Sequence, residues 1–123
     1  MDALTHAVES YLSHWSSEYT EPYALRAVER VGKYLLRCCS TPGDLGAREQ
    51  MLLASYEAGV AFTRSNVGYV HAVAHTFGGK FGVPHGVANA MVMPHVLDFY
   101  VDACADKMCE LAVAIGVAGP SAH

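Results

Sequence analysis

The 123-residue sequence is short of charge, has no cysteines spaced as CxxC, and has no apolar run long enough to cross a bilayer. Each shortage removes a class of function. Charged residues make up only 16% of the chain against 52% hydrophobic, the balance of a packed globular chain rather than a disordered one. The eight Lys and Arg are scattered from Arg26 to Lys107, with no basic stripe interleaved with aromatics. With a net charge of −4, this argues against a nucleic-acid partner. Cys38 and Cys39 are adjacent, and Cys104 and Cys109 are helix neighbours. Neither spacing suits a disulfide framework or a zinc ribbon, so incidental thiols in a reducing compartment are expected. No segment reaches the ~18 apolar residues of a membrane span, and no signal peptide opens the chain. The expectation is a soluble, cytoplasmic protein with no membrane partner. HExxH, the HD dipeptide, GxGxxG and GxxxxGK[ST] are also missing, which removes zincin proteases, the usual helical phosphohydrolases and the common phosphate cradles.

What is present is helical. Apolar residues recur at three- and four-residue spacing nearly everywhere, and no alternating strand pattern appears, so the fold class is all-α. Residues 2–14 place Leu4, Ala7, Val8, Tyr11 and Leu12 on one face. Glu21-Pro22 opens a second helix carrying Leu25, Val28, Val31, Leu35 and Leu36. Asp44 can cap a third, in which Ala54, Ser55, Ala58 and Gly59 would permit close approach of a neighbour. A fourth covers 68–77 and ends at Gly78-Gly79. A fifth starts at Pro84 or His85 and runs to Phe99 with Pro94 as a candidate kink, and a last helix spans about 102–115, closed by Gly116. The chain opens inside a helical pattern (MDALTHAVESYL), from which we expect residues 1–123 to be part of a longer protein.

Histidines supply the candidate chemistry. Positions four apart share a helix face, so Asp2 and His6 project together, as do His71 and His75. The Gly78-Gly79 and Gly82-Val83-Pro84 break is expected to let the chain turn and present His85 near the face of His71. A carboxylate with two or three imidazoles suits Zn²⁺, Fe²⁺ or a similar ion. The bland alternative is a set of hydrogen-bonded core histidines. Against it, both pairs lie among apolar residues, where a lone Asp or His is costly unless paired or coordinated. His14 and His95 read as surface or boundary residues, and His123 as a terminal one.

MDALTHAVE, together with GYVHAVAHTFGGKFGVPHGVANAMVMPHVLDF, resembles the iron-containing (group III) alcohol dehydrogenases, and AREQMLLASYEAGVAF and ELAVAIGV extend the resemblance over nearly the whole chain. It implies an enzyme of two domains, an N-terminal α/β domain for NAD(P) and a helical bundle-like domain for the metal; residues 1–123 would be part of the helical domain, without the N-terminal domain and without the final C-terminal helices. Asp2, His6, His71 and His85 would then be metal ligands, with Fe²⁺ the expected ion and Zn²⁺ the alternative. His75 would lie beside the metal as a proton relay or pocket-shaping group, and Phe62 would line the substrate pocket. The implied reaction is reversible oxidation of a small alcohol to an aldehyde or ketone. It further implies a homo-oligomeric full-length enzyme, and an isolated segment inactive without the missing N-terminal domain. Tyr100 departs from the family pattern, which often has Asn there. Two other readings stay open: a stand-alone helical metal-binding module, and a metal-dependent hydrolase or lyase on the same ligands.

Overall fold

Seven of the eleven residues of the first helix are buried, and the other helices are arranged around it. The computed structural model describes residues 1–117, so His123 lies outside the described part. Five helices follow in order: α1 (Asp2–Leu12), α2 (Glu21–Ser40), α3 (Leu45–Ser65), α4 (Tyr69–Phe81) and α5 (His85–Ile115), with no strand among the described residues. The all-α expectation therefore holds. Helix α1 packs against α2, α3 and α5 and meets α4 at its N-terminal side. The core joins Leu4, Ala7, Val8 and Tyr11 of α1 to Ala24, Ala27, Val28 and Val31 of α2, Ala54, Ala58 and Ala61 of α3, and Leu111 of α5. Alanines dominate the α2 and α3 faces, which lets their backbones sit close to α1.

Helix boundaries differ from the sequence reading in three places. Helix α1 stops at Leu12, because Ser13 turns extended (ψ 145°) and its hydroxyl accepts the Trp15 amide. Helix α4 runs through Gly78-Gly79 to Phe81 and ends at Gly82, whose φ of 67° is the left-handed conformation that a glycine adopts without penalty. Two glycines weaken a helix without breaking its hydrogen-bond ladder. The break expected between the last two helices, at about 99–102, falls at Cys104 (φ −132°, ψ 24°), a kink within the continuous run α5, whereas the backbone at Pro94, the candidate kink, stays helical. Asp44 does cap α3, accepting the Ala47 amide at 3.0 Å. The small residues of α3 divide: Ala54 and Ala58 are buried, whereas a Cβ on Gly59 would meet nothing within 4 Å. Leu36 of α2, expected on the apolar face, is exposed. The four cysteines are free thiols, and no described helix is long and apolar enough to cross a membrane.

Lys107 of α5 ties the α1–α2 connection down. Its ammonium donates to the Tyr11 carbonyl (2.8 Å), Ser16 Oγ (2.6 Å) and Glu21 Oε1 (2.7 Å). The hydrogen bond from Lys107 holds the Glu21 carboxyl below its ordinary range. A carboxylate depressed in the folded state stabilises fully above its unfolded pKa of ~4.3, and that contribution disappears as pH falls through the folded value. Acidification should therefore cost the native protein more stability than Lys107→Met, measured by chemical denaturation at neutral and acid pH. Equal losses would show that the Lys107–Glu21 contact contributes nothing.

Helices α2 and α5 approach closely at Gly32 of α2, where a Cβ would stand 2.4 Å from the Ile115 carbonyl oxygen of α5. That neighbour is backbone and cannot rotate aside. Gly32→Ala should lower stability by about 1–3 kcal/mol, despite the ~1 kcal/mol gain in helix propensity. An unchanged or higher denaturant midpoint would contradict so close a contact.

Candidate metal centre

Helix α1 presents Asp2, His6 and Glu9 at i, i+4 and i+7, one stripe of its surface. Helix α4 brings His71, and α5 brings His85 and Asn89, again four apart. One ligand atom from each of Asp2, His6 and His71 falls within 4.8 Å of the others. His71 Nε2 is 3.7 Å from Asp2 Oδ1, and His6 Nδ1 is 3.9 Å from Asp2 Oδ2. His71 is 2% exposed, which makes it the buried end of the group. His85, at the exposed first position of α5, stands beside these three rather than among them. Its Nδ1 lies 2.8 Å from Asp2 Oδ1 and its Nε2 lies 3.0 Å from His75 Nε2.

The rings are stacked in order. His6 lies between Phe62 of α3 (centroids 4.3 Å apart, 18° between planes) and His71 (4.4 Å, 27°). Phe62 is thus in contact with the candidate centre, through the His6 ring. His75 is exposed, its ring edge-on to His71 at 5.7 Å. His14 and His95 are exposed, as expected of surface residues.

Electrostatics keep the donors in usable forms. Partial burial pushes the Asp2 carboxyl up, but the charge of His6 and hydrogen bonds from Asn89 and His85 outweigh it and leave it below its ordinary value. Burial, and then the neighbouring His71, lower the His6 imidazole, which favours its neutral, lone-pair-bearing form. A carboxylate and imidazoles converging at this distance fit a borderline divalent cation.

Two residues of the site escape a reading of motifs. Glu9 is 3% exposed and its Oε2 lies 2.5 Å from His71 Nδ1. Asn89 is fully buried; its amide nitrogen reaches Asp2 Oδ1 (2.6 Å), His71 Nε2 (3.2 Å) and His85 Nδ1 (3.3 Å), while its Oδ1 has no partner among the described residues. The available signal was spacing: Glu9 continues the Asp2–His6 stripe, and Asn89 stands one turn past His85.

The family profile described as "Fe-containing alcohol dehydrogenase family, C-terminal" matches residues 1–123. The chain belongs to the iron-containing alcohol dehydrogenase family. Among relatives of this family, the chain is 43% identical over 116 residues to 1,3-propanediol dehydrogenase of Klebsiella pneumoniae, covering 94% of this chain and 30% of that protein. It is 46% identical over 99 residues to alcohol dehydrogenase 4 of Schizosaccharomyces pombe, covering 80% and 24%. The solved structure of a 1,3-propanediol oxidoreductase superposes with a TM-score of 0.96 at 41% identity, over 99% of this chain and 32% of that one. An alcohol dehydrogenase from Oenococcus oeni gives 0.93 at 35%, over 94% and 30%. The chain thus spans about 30% of the length of these iron-containing alcohol dehydrogenase relatives.

Gly68, just before α4, belongs to the same site. A Cβ there would stand 2.9 Å from Glu9 Oε1 and 3.1 Å from the Tyr100 hydroxyl. Glu9 is buried and has little room to yield. Gly68→Ala should destabilise the fold by about 1–3 kcal/mol, read from denaturant unfolding. A neutral result would mean that the carboxylate does not need this space.

Proposed function

We propose that the chain is the metal-holding helical part of an enzyme that interconverts a small alcohol and its aldehyde or ketone by hydride transfer to NAD(P). The observation that carries the reading is the convergence of Asp2, His6 and His71 within 4.8 Å, with His85 Nδ1 2.8 Å from Asp2, in a chain of this family. Asp2, His6, His71 and His85 would hold the cation, iron(II) in keeping with the family and zinc(II) as the alternative. When bound, the cation supplies Lewis acidity toward the alcohol or carbonyl oxygen.

The chain's own groups divide the remaining tasks. Phe62 holds the His6 ring by stacking, and its half-buried ring would form one wall for the substrate. His75 is exposed and touches His85 through their Nε2 atoms. An imidazole so placed can pass a proton between the substrate oxygen and solvent near neutral pH. Nicotinamide binding is assigned to the N-terminal part that the longer relatives have beyond the matched third. Hydride turnover would need it, and the complete enzyme would be a homo-oligomer. Four free thiols suit a reducing cytoplasm.

His71→Ala should abolish stoichiometric divalent metal, measured by elemental analysis of the purified protein. His95→Ala, at an exposed position of α5, should retain it. Unchanged metal content in His71→Ala would remove His71 from the ligand set and with it the proposed centre.

A further inference from the structure

The N-terminus of α4 lacks a side-chain cap of its own, since its N-cap residue is Gly68. The first amides of a helix have no intrahelical acceptor and must find one elsewhere. Here they find it on other helices. The Tyr69 amide donates to the Tyr100 hydroxyl of α5 (3.2 Å). The Val70 amide donates to Glu9 Oε1 of α1 (2.7 Å), and the His71 amide reaches Glu9 Oε2 at a longer 3.4 Å. The same Oε2 lies 2.5 Å from the Nδ1 of the His71 ring. One buried carboxylate therefore holds both the helix that carries His71 and the ring itself.

The consequence is chemical. A carboxylate can only accept, so the ring must place its proton on Nδ1 to make this bond. Nε2 is then the bare nitrogen, and it is the one that faces Asp2 at 3.7 Å. The partial positive charge of the α4 N-terminus and the amides that point at Glu9 offset the cost of burying an anion there. Gly68 leaves the room, because any Cβ would press on Oε1.

We propose that Glu9 is a positioning residue for the metal centre: by capping α4 and accepting a hydrogen bond from His71 Nδ1–H, it sets the ring's orientation and tautomer so that Nε2 is presented to the cation. The effect on metal affinity rests on the metal-centre reading; the tautomer does not. Outer carboxylates that hold a ligating histidine in this way change affinity by about 10–100-fold when removed. Glu9→Gln is the discriminating change. Its amide oxygen can still accept the Val70 amide, while its NH2 group faces His71 Nδ1 and favours the opposite tautomer, with the proton on Nε2.

The test uses the full chain, freed of metal and labelled with ¹⁵N at histidine, at about pH 9, above the ordinary imidazole range. In the native protein, the ¹⁵N shifts of His71 should show a protonated Nδ1 and a bare Nε2. In Glu9→Gln they should reverse, and Zn²⁺ affinity, measured by competition with a chromophoric chelator, should fall about 10–100-fold. A native His71 protonated on Nε2 overturns the proposal without reference to any variant, so it stays open to refutation even if Glu9→Gln fails to fold. A folded Glu9→Gln with native tautomer and native Zn²⁺ affinity overturns it as well. Absence of Zn²⁺ uptake by the native chain would instead overturn the metal-centre reading, separately from the metal-free ¹⁵N result.

Discussion

The buried carboxylate of Glu9 is the contact on which the candidate centre depends. It sits on a helix enclosed by its neighbours, where an anion without donors would cost several kcal/mol. The donors come from the N-terminus of α4 and from the His71 ring. The same set of bonds fixes where α4 begins, which way His71 faces, and how closely Gly68 must approach α1. Tyr100, a departure from the family pattern in sequence, has a place here through its hydroxyl on the Tyr69 amide.

Around that contact the site is assembled from rigid pieces. Asp2 and His6 come from the central helix, His71 from a helix whose start is held by side chains of two others, and Asn89 from the buried face of α5. Phe62 and His71 clamp the His6 ring from either side. Candidate ligand atoms placed on helices in this way are held by packing rather than by loops, which favours a geometry set in advance of any cation. His85 is the exception. It is exposed at the first turn of α5, next to the Gly82-Val83-Pro84 break, and it touches both Asp2 and His75.

Much of this was legible in the sequence. The helical period gave six segments, the last two of which form the kinked α5, and it located the Asp44 and Gly116 caps, because apolar spacing and capping residues act locally. The Asp2–His6 and His71–His75 pairs were legible for the same reason, since four residues make about one helical turn. Longer-range matters were not. Some ends were misplaced as well: the sequence put the end of α4 at Gly78-Gly79 and the last break near residues 99–102, where the structure has Gly82 and Cys104.

The all-helical class, the candidate metal-ligating residues and the family pattern that contains them can all be read along the chain. Which of those residues meet is a matter of packing. It joined Asp2 to His71 and His85 across more than half the chain, separated His75 from the buried group, and brought in Glu9 and Asn89. The physical reason is burial. A helix face states which side chains point together, but only packing takes them out of water, and a buried polar group must then find its partner wherever the fold provides one.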